Sequence, residues 1–241
     1  RKTFITLLFS VVLVVLGIAG FMSRAEGAVG IWISGAELAN LPIKGEPGCD
    51  SRCAAAWDDL VSKANSTPAP PDLVNQDETT GIIAYAKALV WARTGNETRR
   101  EQVFSILQNV VGSECGTGTW PCSGGARSLP LGRKLIAYVI AADIIDLTHY
   151  NPAFDSGTFR PWLSYLLTRI NSEGRSLETC NQQRPNNWGT HCGASRIGAA
   201  LYLLDHETDP AIRQRAQSHF DNAVRVFKGF LGDRSSYAGF Q

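Results

Sequence analysis

From position 78 onward, apolar residues recur at three- and four-residue intervals, the period of a helix with one buried face. Over Glu78–Thr94 the pattern uses Ile82, Ile83, Tyr85, Ala86, Leu89 and Val90. Over Thr98–Val111 it uses Val103, Phe104, Ile106 and Leu107. Gly95 stops the first helix, and Asn96 or Thr98 caps the second. The same spacing predicts helices over Leu131–Leu147, Phe159–Ile170 and Gly189–Leu204, and a last one over Asp209–Phe230. That last helix has Asp209 as its cap, Pro210 in the first turn and Gly232 beyond its end. A shorter helix is expected over Ala54–Asn65, followed by the extended proline link TPAPPDL. The stretch IWISGAELANLPIKGEPGCD, residues 31–50, is rich in turn formers and is expected to wrap the surface.

No segment shows the apolar–polar alternation of a half-buried strand. The expected fold is therefore all-α. Helices arriving in hairpins suggest an α/α barrel, or toroid, with a helical solenoid as the neighbouring arrangement. The pairs share no visible sequence repeat.

Residues 1–27 differ from the rest. Basic residues precede an apolar run, which gives way to small residues around Ala25, Gly27 and Ala28. This reads as a secretory signal peptide, or as a membrane anchor over residues 4–22, which are long enough to span a bilayer. Either one exports residues 28–241 as a single domain, secreted or periplasmic. The chain opens on Arg1 and ends on SSYAGFQ. The expectation is that both ends are truncated and that the barrel is incomplete at its C-terminus.

Of the 241 residues, 44% are hydrophobic and 19% charged, enough apolar material for a core, and the net charge is +1. That balance argues against a nucleic-acid partner, which favours a strongly basic face. The six cysteines lie in near pairs: Cys49 with Cys53, Cys115 with Cys122, Cys180 with Cys192. In an exported chain they read as local disulfides. The four histidines (149, 191, 206 and 219) show no HxxxH or tight Cys/His spacing, so no metal site is expected.

The chemistry concentrates in RPNNWGTHCGASRIGAALYLLD, Arg184–Asp205. Gly193, Ala194, Gly198, Ala199 and Ala200 cost helix propensity but let a neighbouring helix approach closely. Asn187 and His191 are four residues apart, one turn along one face. Asn186 and Asn187 stand at the helix start, where amides cap and free N–H groups favour an anion. Each feature alone has an ordinary explanation in capping or packing. Together with Arg184 they read as a site. A second cluster, GDRSSYAGF at 232–240, sets Arg234 and Tyr237 on a Gly- and Ser-rich loop. Trp120 and Trp188 are the tryptophans expected beside a groove.

These two motifs, NNWGTHCGASRIGAALYL and the downstream DRSSYAGF, resemble the alginate lyase superfamily of polysaccharide lyases, which fold as α/α toroids. The resemblance extends over roughly Trp32–Gln241 and includes ARSLPLGRKLIAYVIAADIIDL and AWDDLVSKAN. Trp188 stands where the best-known members carry a His directly after the second Asn. Here His191 follows one turn later, and the Arg-to-Tyr spacing is shorter. The resemblance implies β-elimination on a uronate-containing, alginate-like anionic polysaccharide, with no metal and no cofactor. Catalysis would fall to Asn187, His191, Arg234 and Tyr237. Asn187, helped by His191 or Arg234, would bind the C5 carboxylate. Tyr237 or His191 would take the C5 proton, and Tyr237 would return one to the leaving oxygen. Asn186, Arg184, Trp188 and Trp120 would contact substrate.

Two other readings compete. A glycoside hydrolase on a similar barrel needs two carboxylates, from Asp143, Asp146, Glu178 or Asp205. A non-catalytic carbohydrate-binding protein would use the tryptophans at 32, 57, 91, 120, 162 and 188 as stacking surfaces.

Overall fold

The computed structural model describes residues 30–229, apart from 123 and 185. The predicted leader and anchor, Gly232, Arg234 and Tyr237 lie outside the described residues. Within them the chain is all-helical, with no strand.

The helices are α1 (Gly35–Asn40), α2 (Ser51–Asn65), α3 (Thr80–Thr94), α4 (Glu97–Val110) and α5 (Ser128–Ile144). Next come the short α6 (Leu147–Tyr150) and α7 (Pro152–Phe154). A π-turn over Asp155–Phe159 then leads into α8 (Arg160–Thr168). The last three are α9 (Leu177–Gln183), α10 (Asn187–His206) and α11 (Pro210–Phe227). The long helices are those the periodicity predicts, but their ends move. The helix expected from Ala54 starts at Ser51, because the Asp50 carboxylate accepts the Cys53 N–H at 2.9 Å and caps it there. The helix expected from Gly189 starts at Asn187, capped by Asn186. The short α1 and α9 carry too few residues for a period to show. Each opens on a reciprocal capping box, Ser34 with Glu37 and Ser176 with Thr179. So part of the stretch expected to be turns is helical.

Three helices carry most of the core, and they contact one another in succession: α3 on α5, and α5 on α10. α2 and α4 flank α3, while α8, α9 and α11 flank α10. Ala84 and Ala88 of α3, Leu135 and Val139 of α5, and Ala199 and Leu203 of α10 are all fully buried. The α5–α10 contact is the most extensive, and it is made of small residues. A Cβ on Gly132 would stand 2.8 Å from the Cys192 backbone nitrogen, and one on Gly198 would collide with the Ile136 side chain. Ser195 Oγ donates to the Gly132 carbonyl at 2.6 Å and accepts from the Ile136 N–H at 3.1 Å. It thus bridges the donor and acceptor of one turn of α5.

The three local disulfides form as expected: Cys49–Cys53, Cys115–Cys122 and Cys180–Cys192. No cysteine is left free. Three such bonds fit an oxidising compartment. The Cys180–Cys192 bond closes a separation of 12 residues and staples α9 to α10. Closing a loop of that size contributes about 3 kcal/mol in a chain-entropy account. Among the described residues, no helix is long and apolar enough to cross a membrane.

The rigidity of the α5–α10 contact is measurable. Gly132→Ala forces a methyl group into backbone and is expected to cost about 2–3 kcal/mol. That would lower the thermal midpoint by roughly 5–10 °C for a domain of this size. Gly157, whose added Cβ would meet nothing within 4 Å, is the control. Gly157→Ala should stay within about 0.5 kcal/mol in denaturant unfolding. Equal effects at both sites would contradict the close-contact account.

Candidate functional site

The site grows from the corner where α9 turns into α10. Asn186 caps α10, its Oδ1 accepting the Trp188 N–H at 3.0 Å. Asn187 is the first helical residue; it is exposed, and its amide has no hydrogen-bond partner among the described residues. The corner is crowded behind these two. A Cβ on Gly189 would run into the Arg184 carbonyl, and one on Gly193 would stand 2.7 Å from Asn181 Nδ2. Asn181 Nδ2 donates to the Gly189 carbonyl at 3.1 Å. These are positions where only glycine lets the preceding loop fold back over the helix.

Below the corner lies a buried polar group. The fully buried guanidinium of Arg196 donates to Glu178 at 2.6 Å, to His219 Nδ1 at 3.1 Å and to Asn181 Oδ1 at 3.4 Å. The three partners come from α9 and α11, so one cation pins both helices to α10. Because His219 accepts from Arg196, its imidazole is held neutral. Burial, then the Arg196 charge, push its pKa down.

A cleft of about 900 Å³ opens between α9, α10 and α11. Its polar rim is Arg184, Asn186, Asn187 and Thr190, and its apolar wall includes Ile197 and Val226. Phe227, 90% exposed, stands at its edge. Asn186, Asn187 and Arg184 are thus brought together as the sequence suggested. His191 does not line this cleft. Four residues advance a helix by about 40° beyond one full turn, which carries His191 round toward α5. There burial, then the charges of Arg133 and Lys134, push its pKa below the usual histidine value. Trp188 is half-buried against the core, with the Arg184 guanidinium 5.3 Å from its ring centre. Trp120 packs edge-on against Tyr165 at 6.1 Å in the pinched loop and is not part of the cleft. Arg234 and Tyr237 are not described.

The surroundings of His191 were not singled out from the sequence. N-terminal parts of α3, α5 and α10 converge here. Lys134 Nζ donates to the Glu78 carbonyl, and Tyr138 Oη donates to Glu78 Oε1 at 2.7 Å. Arg133 is half-exposed, with Asp77 4.0 Å away as its ion partner. Nothing local in LGRKLIAY marks Arg133 as a site residue. It gains that position only because α5 packs on α10.

The carboxylates that a hydrolase would need are otherwise engaged or dispersed. Asp143 accepts the N–H groups of Gly30 and Ile31 at 3.2 and 3.1 Å. Asp146 pairs with His149 at 2.7 Å, and Glu178 with Arg196. Asp205 is exposed at the far end of α10 from Asn187. Among the described residues, one group has metal-ligand types close together, Glu114 with Cys115 and Cys122, and its two sulfurs are joined in a disulfide.

The lowered histidines define a pH response. The unfolded chain takes up protons near the ordinary histidine value of about 6.5, while folded His191, His206 and His219 resist them. Their contribution to stability is fully present above that value and declines as pH falls below it. Nuclear magnetic resonance titration should place His191 below the usual range, and Arg133→Gln should raise it. An unmoved value would mean that Arg133 does not act on this imidazole.

Compared with known proteins, the chain matches no family model, no curated protein and no solved structure.

Proposed function

We propose that the chain is an exported polysaccharide lyase that cleaves a uronate-containing polymer by β-elimination. In this reading its helices belong to an α/α toroid, of which the row α3, α5, α10 forms the inner layer. The observation that carries the reading is the first turn of α10. There an exposed amide, Asn187, stands one turn from a histidine whose pKa is lowered by burial, then by the charges of Arg133 and Lys134.

β-Elimination needs three things of a protein. The substrate carboxylate must be neutralised so that the proton on C5 becomes acidic. A neutral or anionic base must remove that proton. An acid must protonate the oxygen that leaves C4 as the C4–C5 double bond forms. Arg133 and the Asn187 amide supply the first, aided by the free N–H groups of the α10 terminus. His191 supplies the second. Burial, then the charges of Arg133 and Lys134, lower its pKa and favour the unprotonated form, and the same two cations also attract the anionic polymer. The third falls to Tyr237, outside the described residues. Arg184 and Asn186, on the rim of the cleft, would hold neighbouring sugars. Asn187 and His191 would reach the substrate one turn apart, about 40° from one another around the helix.

The test is the ultraviolet absorbance of the unsaturated uronate product. The exported protein is offered polymannuronate, polyguluronate, glucuronan and hyaluronan in turn. At least one should give a rising trace. Asn187→Ala should lower kcat by about 10²–10³-fold with an unchanged circular dichroism spectrum, and His191→Gln by a similar factor. The wild-type rate should fall on acidification below the usual histidine range, as His191 gains its proton. A flat trace on all four polymers, from folded protein, would overturn the reading.

A further inference from the structure

We propose that Asn96 is an N-glycosylation site, and that its glycan projects from the end of the helical row opposite His191. The acceptor triplet is Asn96-Glu97-Thr98, an asparagine two residues before a threonine with no intervening proline. A triplet alone is a weak signal. Three structural observations strengthen this one.

The first is exposure. Asn96, Glu97 and Thr98 are all exposed, Asn96 in the two-residue turn that joins α3 to α4 and Glu97 and Thr98 in the first turn of α4. Gly95 makes the turn with its backbone in the left-handed region, at φ 66°. The second is the state of the amide. Asn96 occupies the N-cap of α4, where an asparagine ordinarily folds its side chain back onto the helix N–H groups. Here it makes no such bond. The helix is begun without it, so a substituent on Nδ2 costs the fold nothing. The third is the compartment. Three disulfides mark the oxidising environment in which such glycans are attached and kept.

A second triplet, Asn65-Ser66-Thr67, is less suited. The Asn65 amide oxygen is taken by the Arg99 guanidinium, and Pro68 follows the threonine and stiffens the chain. Asn65 therefore serves as an internal comparison.

The position also has a geometric meaning. At its N-terminal end α3 meets Tyr138 through Gly81, close to Lys134 and Glu78. At its other end the α4 residue Arg100 bonds the Ile145 carbonyl, just past the end of α5, at 2.9 Å. The 15 residues of α3 separate these ends by about 20 Å. A glycan on Asn96 leaves the His191 side open.

The transfer balances without oxidant or reductant. The donor is a lipid-linked oligosaccharide of the exporting membrane. A bond forms between the first sugar's C1 and Asn96 Nδ2. The bond from C1 to the lipid pyrophosphate oxygen breaks, its electron pair leaves with the pyrophosphate, and the amide loses one proton.

The experiment is peptide mass spectrometry on the full chain secreted by the cells that make it, with and without peptide-N-glycosidase. The peptide containing Asn96 should carry hexosamine-based mass, and the enzyme should remove it and leave aspartate at 96. Asn96→Gln and Thr98→Ala should each abolish that mass, the second while keeping the asparagine. An unmodified Asn96 peptide from secreted, disulfide-bonded protein overturns the proposal, as does a glycan found on Asn65 alone.

Discussion

The structure depends on two helices meeting with almost nothing between them. Where α5 crosses α10, Gly132 lies against the Cys192 backbone and the Ser195 hydroxyl sits within the α5 hydrogen-bond ladder. Such a contact admits little sliding, because small shifts of close-packed backbone meet steep repulsion. It fixes the height of α10 relative to α5, and so the position of His191 relative to Arg133 and Lys134. The glycines and alanines of α10 lower its intrinsic propensity. They are kept because tertiary contact, rather than propensity, determines whether and where this helix forms.

Around that contact, buried charge does the orienting. Arg196 reaches groups on α9 and α11 from the middle of α10. Asp155, fully buried, accepts from Tyr202 at 2.7 Å and pairs with Arg160 at 2.9 Å, which ties α8 to the far half of α10. Buried ion pairs add little net stability once desolvation is counted. Their geometry is demanding, though, and misaligned helices would strand a charge. The apolar core holds these helices together, and the polar groups select one alignment.

How much of this was legible in the sequence follows from what each signal measures. Periodicity reports a buried stripe, so it found the long helices and failed on α1 and α9, which are barely two turns long. It also misplaced several ends. Those are set by single side-chain caps, such as Asp50 and Asn186, rather than by the stripe. Cysteine proximity found all three disulfides, because each closes a short loop. The Asn-Asn corner was visible as a candidate group of polar side chains, and Asn186 proves to be the cap of α10. The placement of the side chains around it was not visible. Spacing of four suggested one face for Asn187 and His191, and the remaining 40° or so of rotation separates cleft from α5. Arg133 became part of the picture only through a contact between residues about sixty positions apart, which no local pattern encodes.

The bond between Cys180 and Cys192 sets a schedule as well as a shape. A chain in a reducing compartment carries two thiols there, and α9 is then held to α10 by non-covalent contacts alone, among them the hydrogen bond from Asn181 to Gly189 and the Arg196 ion pair with Glu178. Oxidation completes the corner. Oxidising conditions thus also fasten the most exposed turn of α10 to the segment before it. A chain held under reducing conditions would keep its helical core and lack this staple, so the set of the corner follows the redox conditions around it.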